Sequence, residues 1–436
     1  MTTPTSLKRA VTRWEIIGMS LNNVIGSGVY LLPATAAAFL GPASLWAVAL
    51  AGFVVLLLVL CFAEAGSRFD EPGGGYIYAR KAFGPFVGFQ VGWMTWLARV
   101  ASAAALWSGF AQALTFFWPG AAAGLERVAI ITLPLALNLW INIVGVKHGA
   151  RLGVGLTIAK VLPLLFLIVV GIPALNGSLI FPMKAPSAVG MGAAASYLLF
   201  AYAGFENTAA AAGEFKNPKR DVPFALITVI ATVTVLYTLI QLVAVGTLPN
   251  LASLTGGSPL AESAALVVGV WGGIILTLGA AISTAGNGAS NTIIAPRYLY
   301  ALAKDGFGPR VLCRTHARYQ TPAWAIVTQE SIVLTLALSG SFEQLALLSV
   351  VARLVTYMGT AAAVPVLRRK LRAAEHTFVL PGGPTIPILA LLVCLALIAS
   401  TSMEKLIAGL AALALGVAIY LFRRKPLPET APPPAM

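Results

Sequence analysis

The sequence predicts an all-α polytopic membrane protein of twelve helical spans, two of them interrupted part-way across. Three observations carry this expectation. The 436 residues are 58% hydrophobic and only 10% charged, against about 25% charged in an ordinary soluble domain. The apolar residues gather into runs of spanning length, bounded by charges or by Gly and Pro. Two of the runs are broken by Gly and polar residues at a depth where lipid offers the freed backbone no partner.

In chain order, the spans are expected at 14–39, 43–66, 85–115, 123–145, 149–174, 188–213, 222–246, 264–302, 322–340, 343–367, 384–401 and 403–422. The eighth is too long for one crossing. It is expected to leave the membrane near Asn287 and continue as a cytoplasmic helix. The tail 423–436 is Pro-rich and expected to be disordered. Lys8, Arg9 and Arg13 precede the first run in the manner of a signal peptide. The Asn22-Asn23 and Gly26-Ser27-Gly28 interruptions argue against a cleaved leader.

The net charge of +14 is not a nucleic-acid footprint. Its cations sit at both termini and in alternate loops, with clusters such as Arg80-Lys81, Arg368-Arg369-Lys370 and Arg423-Arg424-Lys425. The opposite loops offer only Arg127, Lys184 and Lys405. This is the positive-inside pattern, and it places both termini in the cytoplasm and the chain in the cytoplasmic (inner) membrane. Cys61, Cys313 and Cys394 make no disulfide framework, and His148, His316 and His376 make no metal cluster. No metal and no cofactor are expected.

Two loops stand out. Pro72 to Gly84 joins a glycine turn to Tyr76, Ile77, Tyr78, Arg80 and Lys81, a composition suited to a short interfacial helix. It lacks the Lys-Ser/Thr of a nucleotide P-loop. In the second loop, Glu214 to Pro223, Pro223 is expected in the first turn of the following helix with Asp221 near its N-terminus.

The breaks carry the candidate chemistry. At Gly26, Ser27 and Gly28, successive N–H groups lose their helical partners at the positive end of a half-helix expected to begin near Val29. Such an end attracts a carboxylate, and glycine lets it approach the backbone. The same glycines could serve helix packing. The paired break from Phe200 to Glu206 favours a site, because two interrupted helices at matching places in two halves mark a secondary transporter. There the carbonyls of Phe200, Ala201 and Ala203 end a half-helix and can accept from an ammonium.

Val24 to Val29, the Pro72-to-Tyr78 loop, the Phe200-to-Glu206 break and the Asn217-to-Pro223 loop, in that order, resemble the amino acid–polyamine–organocation (APC) superfamily of permeases. The resemblance implies two inverted five-helix repeats, 14–174 and 188–367, after a cytoplasmic segment 1–13 and before an accessory pair 384–422. It implies alternating-access transport of amino acids, as a symporter, exchanger (antiporter) or facilitator. It places the substrate's α-carboxylate at Ile25, Gly26, Ser27 and Gly28, and its amine at Phe200, Ala201 and Ala203, with Phe200 closing over it.

Lys160 is about eleven residues into its span, roughly 16 Å along a helix, too deep to snorkel. An ionisable group there costs ~2.5 kcal/mol or more and is a functional-site hypothesis by default. The resemblance implies that its ammonium stands where Na⁺-dependent relatives hold an ion, reaching backbone near Gly26 and a hydroxyl of Ser283 or Thr284. It acts either as a fixed cation or as a site through which protons cycle. Glu206 either holds the second break in shape or takes part in coupling. Arg99 borders the cavity with Ser102; it either selects substrates or pairs with a carboxylate such as Glu64 or with carbonyls. Arg353 belongs to a gate or packs on loose backbone. Asn287 shares a pathway-lining face with Ser283, Thr284, Ser290 and Asn291. The small residues near the breaks and the scarcity of acids favour neutral amino acids. A polyamine would leave the Gly26–Gly28 amides unused and would want acids. An enzyme would need a nucleophile–base or metal constellation within the spans, and the sequence offers none.

Overall fold

The computed structural model describes residues 12–69, 73–144, 149–210, 217–371 and 378–423. The tail from 424, the first eleven residues, His148, His376 and the start of the Glu214–Pro223 loop lie outside them.

The described residues contain helices and no strand. In order these are α1 (Arg13–Val24), α2 (Ser27–Leu40), α3 (Ser44–Gly66), α4 (Gly75–Phe83), α5 (Pro85–Leu114), α6 (Gly124–Val144), α7 (Gly149–Gly171) and α8 (Gly177–Ile180). Then follow α9 (Ala188–Tyr202), α10 (Phe205–Ala210), α11 (Pro218–Thr247), α12 (Pro259–Val268), α13 (Val270–Lys304), α14 (Ala323–Ser339), α15 (Phe342–Lys370), α16 (Thr385–Ala399) and α17 (Met403–Leu421). Eight described stretches are long and apolar enough to cross a membrane. Large apolar side chains point outward along several of them, among them Trp140, Leu162, Val169 and Leu410. Large apolar side chains left exposed along helices of spanning length suit a lipid surround.

α15 is the central post, with 72% of its most apolar stretch buried, whereas only 11% is buried in α17. α15 packs on α5, α3 and α9, while α2 packs on α9 and α11 on α3. The broken helices therefore lie inside the bundle.

Three expectations need correction. α13 begins at Val270, not 264, because Gly269 adopts φ +78° and ends a separate helix, α12, that the apolar composition had merged with the span. α11 begins at Pro218, so Pro218 rather than Pro223 takes the first-turn place that suits a residue without N–H. Asp221, in that first turn, accepts from Arg13 Nε at 2.9 Å and ties α11 to α1. Glu64 does not pair with Arg99. It is fully buried and is gripped by Arg368, with Nε to Oε1 and Nη2 to Oε2 both at 2.6 Å, and by Arg68 at 3.0 Å. This two-pronged geometry locks the end of α3 to the end of α15.

From Gly73, where the described part of the glycine loop begins, the expected turn and short helix are present. Gly73 and Gly74 take φ +139° and +53°, and α4 follows at once. Tyr78 on α4 is buried between the rings of Phe62 and Phe69.

Candidate functional site

The first break is only two residues long. α1 ends at Val24, and the Ile25 N–H makes a last helical bond to Leu21 O at 2.9 Å. Gly26 is extended, and α2 starts at Ser27, two residues before the expected Val29. The first-turn N–H groups of α2 therefore begin at Ser27. A Cβ on Gly26 would meet Asn287 Nδ2 at 2.8 Å, and one on Gly28 would meet Ala201 Cα at 2.5 Å. Glycine here lets α2 touch α13 and α9.

The second break faces the first. α9 ends at Tyr202, Ala203 is extended, and Gly204 takes φ +122° before α10 begins at Phe205. A Cβ on Gly204 would strike the Asn23 carbonyl. The Gly204 N–H donates to Glu206 Oε2 at 2.9 Å, so Glu206 satisfies backbone that the break exposes. Glu206 also pairs with Arg353 and accepts from the Tyr357 hydroxyl at 3.3 Å. From α11, the Tyr237 hydroxyl lies 3.1 Å from Ala201 O and 3.3 Å from Val24 O, sharing one proton between the ends of α9 and α1.

Lys160 is fully buried on α7. Its Nζ donates to Asn22 O at 3.2 Å, Asn22 Oδ1 at 2.9 Å and Asn287 Oδ1 at 2.5 Å. The ammonium reaches α1 backbone at Asn22, four residues before Gly26, but not the hydroxyl of Ser283 or Thr284. Thr284 Oγ1 bonds back to Ala280 O at 2.9 Å, as helical hydroxyls readily do, and Ser283 Oγ reaches Ile25 O at 3.4 Å. In an unbroken helix Asn22 O would accept from the N–H of Gly26, four residues on. The break removes that donor, and the ammonium takes its place.

Between the breaks lies a cavity of ≈ 530 Å³, mouth included. Of the residues singled out in the sequence, Gly26, Ser27, Gly28, Arg99, Ser102, Phe200, Ala203, Gly204, Asn287, Ser290 and Asn291 form its wall. Ile25, Ala201, Lys160, Ser283, Thr284 and Glu206 do not. Arg353 also lines the wall, as do Asn207, Leu106 and Ile294, which sequence reasoning passed over. Asn207 stood next to the acid that drew attention at the break. Leu106 and Ile294 carry no signal that separates them from other apolar residues. Arg99 Nη2 donates to Asn207 Oδ1, and its guanidinium lies over the Tyr298 ring at 5.0 Å.

Phe200 meets Phe342 edge to face at 5.7 Å. Phe342 in turn lines a second hollow with Gln112, Arg127 and Glu343, so the ring pair stands between two spaces.

A family model for amino acid permeases matches residues 11–411. The chain belongs to the amino acid permease family. The permease is 26% identical to the branched-chain amino acid permease BcaP of Bacillus subtilis, over 96% of this chain and 94% of that protein. It is 29% identical to the serine/threonine exchanger SteT of the same organism, over 88% and 89% respectively. It is 28% identical to that organism's methylthioribose transporter, over 96% and 94%. The permease is thus a multi-pass membrane transporter of the APC superfamily and not an enzyme. Chemically, its cavity offers amide donors at one helix end, carbonyls at another, guanidiniums and asparagines, but no carboxylate among the described residues of its wall.

Proposed function

We propose that this permease moves amino acids across the cytoplasmic membrane by alternating access, without sodium, with both termini in the cytoplasm. The observation that carries the reading is the cavity formed where the start of α2 and the end of α9 meet. Opposite helix ends suit the two charges of an α-amino acid. The α-carboxylate takes the amides of Ser27 and Gly28 beside Gly26, with Ile25 setting the break. The amine takes the carbonyls of Phe200 and Ala203 on the wall, with Ala201, expected beside them, set off the wall and its carbonyl held by the Tyr237 hydroxyl. The Phe200 carbonyl already accepts one bond, from the Ala203 N–H, and keeps a second lone pair. Phe200 is the lid.

The twelve-span, five-plus-five arrangement is part of the same reading. In support, α2 packs on α9, α3 on α11, α5 on α13 and α6 on α14, the pairings that matching helices of two inverted repeats would make. The Lys160 ammonium serves as a tethered cation in place of a bound ion, supported by its bonds to α1 and α13. Proton symport, exchange and facilitated diffusion remain the transport modes to be separated. The preference for neutral over cationic substrates rests on the lack of an acid among the described residues of the wall. The same lack speaks against a polyamine.

The test is uptake of radiolabelled amino acids and polyamines into liposomes holding the purified chain, with and without a pH gradient and with and without internal substrate. Accumulation driven by the gradient means symport, and uptake only against internal substrate means exchange. Uptake of no α-amino acid overturns the reading. Gly26→Val is expected to abolish binding while the chain still inserts, because its Cβ displaces Asn287 and its branches fill the approach to the amides. Unchanged affinity would remove the carboxylate site.

A further inference from the structure

Arg99 leaves the cavity with an unbalanced positive charge. It is 4% exposed, and among the described residues its guanidinium meets the neutral Asn207 amide oxygen and the Tyr298 ring. Its Nε–H has no hydrogen-bond partner. The other guanidinium on the wall, Arg353, is neutralised by Glu206. Among the described residues, no Asp or Glu stands on the wall to do the same for Arg99. A second buried donor, Ser27 Oγ, also lines the cavity without a partner. Buried donors and charges without partners are unfavourable, and a ligand that supplies acceptors and one net negative charge relieves both conditions.

Resting on the amino acid reading above, we propose that the substrate is an acidic amino acid whose side-chain carboxylate is received by Arg99. Its α-carboxylate would lie at the start of α2 with Ser27 Oγ, and its ammonium at the end of α9. A neutral side chain leaves Arg99 unbalanced. A cationic one adds to the imbalance. Asn207 is a positioning residue: it holds the guanidinium through Nη2 without cancelling its charge.

The deciding experiment is equilibrium binding to the purified full chain of L-glutamate against L-glutamine, and of L-aspartate against L-asparagine. Leucine, serine and lysine complete the panel. Each acid should bind at least about tenfold tighter than its amide. Arg99→Gln should lower glutamate affinity about thirtyfold or more and narrow the glutamate-to-glutamine ratio. Asn207→Asp should narrow the same ratio by supplying the missing negative charge. The wild-type ratio needs no variant and stands if a variant does not fold. Equal or tighter binding of the amides, or an unchanged ratio in a folded Arg99→Gln chain, overturns the proposal. Binding of leucine or serine without the acids overturns it too and leaves the permease reading in place. Binding of no amino acid removes both.

Discussion

Lys160→Ala is expected to lower uptake about a hundredfold or more while the protein still reaches the membrane. The ammonium is the donor for three acceptors on two other helices: Asn22 O, Asn22 Oδ1 and Asn287 Oδ1. Hydrogen bonds from a charged group contribute about 1.5–3 kcal/mol each, and a buried acceptor left unmatched costs about 1–3 kcal/mol. Even with partial repacking, the loss exceeds the ~2.7 kcal/mol that corresponds to a hundredfold change. It falls on the end of α1 and on Asn287, which borders the cavity. Lys160→Met, which keeps most of the stem and removes the charge, should behave like alanine. Uptake per reconstituted molecule, measured across pH, checks this. An unchanged rate and pH profile would exclude both the fixed-cation role and the proton-cycling role.

Gly204→Ala is expected to be nearly as damaging. Gly204 holds φ +122°, where a side chain is strained, and the new Cβ would collide with the Asn23 carbonyl at the end of α1. Strain of about 1–3 kcal/mol combines with an overpacking cost of similar size. The neighbour in the collision is backbone, which cannot turn aside. The variant should lose transport and show a lower thermal midpoint in detergent. Wild-type values for both would mean that the second break does not lie against the first.

The features legible in the sequence were those that break a pattern within one segment. The Gly26-Ser27-Gly28 interruption, the Ala203-Gly204 region and the single charge of Lys160 in an apolar run each announce themselves locally. Both breaks fall where they were expected, and most helix limits agree within a few residues. What could not be read was partnership across distance. Lys160 lies 138 residues from Asn22, and nothing in either segment says that an amide oxygen rather than a hydroxyl will be its acceptor. Glu64 and Arg99 looked like natural partners because both are charges within apolar runs. The bidentate grip of Arg368, 304 residues away, depends on how α15 crosses α3. α12 was hidden for a different reason: its apolar composition merges with the following span unless Gly269 is read as a helix end.

The Tyr237 hydroxyl, placed between Ala201 O and Val24 O, has a consequence for how the two breaks vary. A single proton serves both helix ends, so neither end has its own independent reserve of stability. A change that pulls one end away frees the hydroxyl to bond the other more firmly, and a change that crowds one end is felt at once by its counterpart. Substitutions at the two breaks should therefore be epistatic: the harm or benefit of one depends on the residue present at the other. A lineage altering its substrate at one broken helix would have to revise the second in step.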